Sequence, residues 1–201
     1  MSLEFEKAYL FTGVNGVGKS TLLRGICDKE PEKFCLFPGS LRLMEKLGLE
    51  VGDYDSLRKL PEDFKIRAWN DLMLEVLEQR RESTGVVLLI DAHLYHYKQG
   101  EMIEDPTEWM KGLDGIFLVS TDVNSLNLRV LKDEKSRDLL PERLNEVERI
   151  KMLAYFLDAT QKRASEIARQ YEIPFYSIQN LENGLEVAVQ DFLRIYRGEQ
   201  K

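Results

Sequence analysis

The sequence predicts an α/β fold built on a central, mostly five-stranded parallel sheet, and three observations carry that reading. Apolar runs of strand length alternate along the chain with longer segments of helical spacing, the order in which parallel strands are joined by crossover helices. Val86-Val87-Leu88-Leu89-Ile90 is apolar at every position, as a parallel strand covered on both faces requires. Between the first apolar run and the first helical segment stands Gly13-Val14-Asn15-Gly16-Val17-Gly18-Lys19-Ser20-Thr21, which matches G-x-x-x-x-G-K-[ST] in full.

That stretch has a physical logic. Gly13, Gly16 and Gly18 let the backbone curl so that its N–H groups face inward at phosphate oxygens. Lys19 supplies a mobile positive charge for the β and γ phosphates. The Ser20 hydroxyl suits Mg²⁺, and the helix that follows adds its N-terminal dipole. Asn15, Val17 and Thr21 complete the set expected to hold a nucleoside triphosphate. The plainer alternative is an ordinary glycine-rich turn.

Composition bounds the rest. A chain of 201 residues, 43% hydrophobic, suits one α/β domain with small insertions. A formal charge of -7 argues against a broad nucleic-acid surface, while a local basic pocket can still hold a small anion. Met1–Lys7 are polar and are expected not to be a leader, and no apolar run has the length of a membrane span. Cys27 and Cys35 are too sparse for a disulfide framework and read as core thiols of a cytoplasmic protein.

In chain order, residues 7–12 read as the first strand and 20–29 as the first helix. Residues 34–37 make a short second strand, broken by Pro38-Gly39. Leu41, Leu43, Met44 and Leu47 share a helical face, with Ser40 as the expected cap and Gly48 as the stop. Gly52 to Ser56 reads as an acidic turn, and Pro61 opens a helix to about Arg81. The third strand, 86–90, ends at Asp91. His93 and His96 follow, with no cysteine near enough to complete a zinc set. Residues 94–112 are expected to be irregular, with a short helix near 107–111. Another strand spans 113–119, and Asp122 caps a helix to about Leu131. Pro141 opens a long helix to about Gln170, residues 173–178 form the last strand, and 185–196 the closing helix.

Phosphate loops of this kind serve many protein classes. The N-K-x-D segment of a GTPase and the signature of a transport ATPase are both absent. A small kinase needs a second pocket for the acceptor, and residues 38–60, with Arg42 and Arg58, form an insertion of the right size. Asp91, at the carboxyl end of its strand, is placed for a Mg²⁺-associated or water-holding carboxylate; its alternative is a turn cap. Arg129, Lys132 and Arg137 can close over transferring phosphates, or simply pair at the surface, and Arg149 can point at the site.

Taken together, these segments resemble the archaeal-type adenylate kinases, a branch of the P-loop nucleoside monophosphate kinases, over most of the chain. Residues 9–21 are similar to that family's V-T-G-x-P-G-V-G-K-[ST]-T loop, with Asn15 in place of the proline. Asp53-Tyr54-Asp55-Ser56-Leu57-Arg58-Lys59-Leu60 resembles D-R-D-E-[IM]-R-K-L, and Asp91-Ala92-His93 resembles D-T-H. Arg129 to Arg137 resembles the lid pattern R-x-x-R-D-x-x-R, with Lys132 in one arginine position.

The resemblance implies a P-loop kinase-like three-layer sandwich, one domain over 1–201 with an acceptor-binding insertion at about 38–60 and a lid at about 129–140. It implies Mg²⁺-dependent phosphoryl transfer from ATP to AMP, and a homotrimer. The catalytic set it implies is Lys19, Arg58, Asp91, Arg129 and Arg137, with Ser20 and Asp91 at the metal. The sequence departs from the family at Phe37-Pro38-Gly39-Ser40-Leu41 and at Glu101 to Pro106, both where an acceptor would be held. The competing expectation is a P-loop ATPase, or a nucleotide-binding protein with a different acceptor or little turnover.

Overall fold

The computed structural model describes residues 4–82, 84–98, 101–132, 139–141 and 143–199. Five parallel strands form the central sheet: β1 (Lys7–Thr12), β2 (Phe34–Pro38), β3 (Val87–Asp91), then β6 (Gly115–Ser120) and β7 (Phe175–Gln179). Their order is β2-β3-β1-β6-β7. The first strand in the chain is therefore the middle of the sheet. Its neighbours are in a register that sets Phe11 beside Asp91 on one side and beside Phe117 on the other.

Helices cover both faces. The alternation of side chains along each strand sorts the core into two clusters. Phe11, Leu89 and Phe117 face α1 (Lys19–Lys29) and α7 (Leu185–Arg197), with the Phe11 and Phe117 rings stacked at 4.9 Å and Phe192 closing over them. Ala8, Leu10, Leu88 and Ile90 face α4 (Glu62–Leu77) and the carboxyl half of α6 (Glu146–Gln170). This is the expected three-layer α/β sandwich, and its central strands are buried on both sides. Cys27 and Cys35 are free and half-buried, and burial pushes the Cys27 thiol up to about 11, which suits core thiols rather than reactive ones.

The remaining elements differ in places from the sequence-based expectation. Ser40 does not cap α2 (Gly39–Lys46), which begins directly from Pro38 without a side-chain cap. The expected acidic turn at 52–56 winds instead into a short helix, α3 (Tyr54–Lys59), because the Asp53 carboxylate accepts from the Ser56 N–H at 3.0 Å. The α6 helix starts not at Pro141 but after Asn145, where a reciprocal pair with Glu148 forms a capping box.

The stretch expected to be irregular contains an antiparallel hairpin, β4 (Tyr95–Lys98) with β5 (Glu101–Glu104), followed by a 3-10 turn at Glu108–Gly112. Tyr97 is buried against Phe156 of α6 at 4.9 Å. A single buried aromatic side anchors strands too short for their alternation to be read in the sequence. The last major helix of this half is α5 (Val123–Lys132), capped as expected by Asp122, whose carboxylate accepts from the Ser125 N–H at 2.9 Å.

Candidate functional site

The phosphate loop joins β1 to α1 at the carboxyl end of the sheet. Glycine is required at its two ends for different reasons. Gly13 has φ +151°, and a Cβ there would lie 2.3 Å from the Val119 carbonyl oxygen of the neighbouring strand. Gly18 has φ +88° and caps the helix in the left-handed region. The loop is thus pressed against β6 while its far end swings straight into α1.

Lys19, only 5% exposed, is the most deeply buried charge of the site. A buried ammonium needs several oxygen or nitrogen partners. Its Nζ lies 3.4 Å from the Gly13 carbonyl, 3.8 Å from Asp91 Oδ1, and 3.2 and 3.3 Å from the two ring nitrogens of His93. The His93 Nδ1 also stands 3.0 Å from the Gly13 carbonyl. A carbonyl only accepts, so Nδ1 carries the proton in that contact. Beside this pair, the Ser20 hydroxyl donates to Asp91 Oδ2 at 2.6 Å.

These groups open onto a cleft of about 610 Å³. It is lined by the loop and Arg24, by His93, and by Arg129, Lys132 and residues of the 180–185 segment. Arg129 donates through Nη1 to the Val17 carbonyl and through Nη2 to the Asn180 carbonyl, both at 2.9 Å. Asn180 and Arg24 are cleft residues that sequence reasoning missed. The only signal for Asn180 was its place at the carboxyl end of the last strand, where open α/β sheets bind ligands.

The structure brings together Lys19, Ser20, Asp91, His93 and Arg129 around the loop. It does not bring Arg58 to that cleft's lining: Arg58 lies on α3, partly exposed, and pairs with Asp55. Arg42 pairs with Glu45 at 2.8 Å. Arg149 donates to the Asn127 side chain at 2.6 Å, bracing α6 against α5 rather than reaching the cleft. Arg137 and half of the expected lid, residues 133–138, lie outside the described residues. His96 is held apart from the site, 3.0 Å from Asp105 and 3.0 Å from Glu62.

Among the described residues, no group of three or more His, Cys, Asp and Glu side chains could hold a metal ion. Magnesium takes hard oxygen donors and draws most of its shell from water and phosphate, so one hydroxyl and one carboxylate are sufficient protein ligands. Ser20 and Asp91 are such a pair. Among the described residues, no helix is long and apolar enough to cross a membrane.

No protein-family model matches the chain. At 29% identity over 192 residues, spanning 92% of this chain and 93% of the relative, it is similar to the adenylate kinase of Pyrococcus abyssi (strain GE5 / Orsay). The adenylate kinase of Pyrococcus furiosus matches at 29% over 191 residues, with the same shares covered. Among solved structures, shikimate kinase from Bacteroides thetaiotaomicron superposes with a TM-score of 0.57 at 16% identity, covering 95% of this chain and 98% of that one. Shikimate kinase from Acinetobacter baumannii, solved in complex with shikimate, gives 0.58 at 16% identity, covering 98% and 96%. The expected likeness to archaeal adenylate kinases is therefore present and distant, and the fold is that of the P-loop small-molecule kinases.

Proposed function

We propose that this protein is a Mg²⁺-dependent P-loop phosphotransferase that moves the γ-phosphoryl group of ATP to a small acceptor. The observation that carries this reading is the cluster at the mouth of the loop, where Lys19 and Ser20 both contact Asp91. Residues 38–60, which leave the sheet beside Asp91 through Pro38, are the acceptor side in this reading. AMP is the first acceptor to test, on the strength of the similarity to the Pyrococcus adenylate kinases.

A different small acceptor is favoured by two observations. Arg58, which would hold an acceptor phosphate, is turned into an ion pair with Asp55 on its own helix. Phe37-Pro38-Gly39-Ser40-Leu41 and Glu101 to Pro106 replace the segments that hold AMP in the resembling family.

The chain's own groups suffice for the positioning part of the chemistry. Inward N–H groups at Gly16 to Lys19 cradle the phosphates, and Lys19 neutralises charge on the transferring group. Bound Mg²⁺ would neutralise the β and γ oxygens beside Ser20 and Asp91. An acceptor phosphate is already nucleophilic, so no general base is needed for AMP; alignment and charge carry the work. Closure of the cleft would exclude water and so prevent hydrolysis of ATP.

The test is an acceptor panel with MgATP: AMP and other nucleoside monophosphates, then small hydroxy acids and sugars, followed by phosphorus NMR for new products. Two ADP per AMP consumed supports the adenylate assignment. A product from another acceptor only would keep the phosphotransferase and discard AMP. ATP hydrolysis at one rate with every acceptor would make the protein an ATPase. The same preparation, measured by light scattering, tests the homotrimer that the resemblance implies.

A further inference from the structure

The Val17–Gly18 peptide is held from outside the phosphate loop. The Val17 carbonyl accepts twice, from Arg129 Nη1 and from the Asn180 side-chain amide, each at 2.9 Å. The Arg129 guanidinium also reaches the Asn180 carbonyl, so the three residues form one closed set. Asn180 is itself fixed: it is 6% exposed, and its N–H donates to the Ser120 carbonyl at 2.8 Å, at the end of β6. It also fills the space above Gly18, where a Cβ would come within 2.4 Å of the Asn180 amide nitrogen.

In a trans peptide the C=O and N–H point in opposite directions. Pinning the Val17 carbonyl toward Arg129 and Asn180 therefore fixes the Gly18 N–H on the opposite side of the peptide. A free loop would lose that alignment each time the peptide rotated, and ligand binding would have to restore it.

We propose that Asn180 and Arg129 are positioning residues that hold the Val17–Gly18 peptide in its phosphate-binding orientation. This rests on the reading that the loop binds nucleotide phosphates. It gives Arg129 a role different from closing over the transferring phosphoryl group, because two of its donors are already engaged on main-chain carbonyls. It also gives Asn180 a role that does not depend on the base. A brace on the peptide affects every polyphosphate alike; a base contact affects only nucleotides; a γ-phosphate clamp affects triphosphates more than diphosphates.

Titration calorimetry of the whole chain with MgATP, MgADP and inorganic tripolyphosphate separates these roles. Asn180→Ala and Arg129→Met are each expected to weaken all three ligands by a similar factor, about tenfold. The double variant should lose less than the product of the two, since both act on one carbonyl. Asn180→Asp cannot donate to the carbonyl and should lose at least as much as Asn180→Ala. Arg129→Lys keeps the charge but cannot span both carbonyls, and should behave like Arg129→Met; it also serves if the methionine variant folds poorly. Where turnover is measurable, KM for ATP should rise with kcat little changed.

Unchanged tripolyphosphate binding in the Asn180 variants, with ATP and ADP weakened, would overturn the proposal in favour of a base contact. Loss confined to ATP and tripolyphosphate in the Arg129 variants would overturn it in favour of a γ-phosphate clamp. Wild-type protein that binds none of the three removes the phosphate-loop reading and the proposal together. Wild-type binding that every variant matches removes the proposal alone.

Discussion

Ser20 and Asp91, 71 residues apart in the chain, meet in a 2.6 Å hydrogen bond at the carboxyl end of the central strands. The contact follows from the register of β1 and β3. Phe11 pairs with Asp91, so the carboxylate emerges level with the start of the loop and within reach of the first turn of α1. The same carboxylate faces the Lys19 ammonium at 3.8 Å.

Asp91→Asn keeps a hydrogen-bond acceptor for Ser20 but removes the negative charge that Lys19 faces and that Mg²⁺ would use. We expect kcat with the working acceptor to fall about 100- to 1,000-fold, with a higher Mg²⁺ requirement. Steady-state rates across a Mg²⁺ titration read both. Activity within twofold of wild type would reduce Asp91 to a turn-stabilising acid.

Gly39 marks a tight junction between β2 and α2. A Cβ there would lie 2.7 Å from the Asp91 carbonyl oxygen and 2.7 Å from the Trp69 ring. Neither neighbour gives easily: one is backbone, and the Trp69 ring is packed edge-on against Trp109 at 5.8 Å. Gly39→Ala should destabilise the protein by about 1–3 kcal/mol, seen as an earlier midpoint in urea unfolding.

The capping box of α6 is separable from the site. Asn145→Ala removes the acceptor for the Glu148 N–H and should cost about 1 kcal/mol. Nucleotide affinity should not change. A thermal melt and a binding isotherm on one preparation check both halves of the statement.

Asp105 carries a pH signature. Burial is the largest influence on its carboxyl and raises it above the usual value of 3.8, against the opposing pull of the His96 hydrogen bond. An acid raised in the folded state retains a proton that the unfolded chain has released. Its stabilising contribution is therefore complete below about pH 3.8 and is lost as pH rises through the higher folded value. Asp105→Asn, which can still accept from His96, should remove that dependence: relative to wild type, the variant gains stability as pH climbs out of the acid range. Unfolding midpoints taken every half unit from pH 3 to 7 would show parallel curves if the carboxyl does not titrate in this way.

The sheet and the loop between its first strand and first helix were legible because each had a strong local signal. A fully apolar run at 86–90 can be little else than a covered strand, and the glycine spacing of 13–18 is dictated by the loop it builds. Asp91 was legible from its position at a strand end. The hairpin at 95–104 was not, because each strand has only four residues and its anchor, Tyr97, finds Phe156 59 positions later. The helix at Tyr54–Lys59 was obscured by its acidic surroundings; Asp53, which looked like part of a turn, is the cap that starts the helix. Asn180 was invisible for a third reason. Its partners, Val17 and Arg129, are remote in sequence, and no spacing rule links an asparagine to a backbone carbonyl 163 residues away.

That long reach has a consequence for how the protein is made. Synthesis runs from the amino terminus, so the glycine loop is made before the last strand and the residues that follow it. The asparagine that steadies it follows Val17 by 163 residues. The loop at Gly13 to Thr21 thus exists without its support until Asn180 has been made. Nucleotide in the cell can stabilise only the finished molecule, by mass action on the folded state. A chain that stops before Asn180 has the whole consensus sequence and lacks the part that holds it in shape.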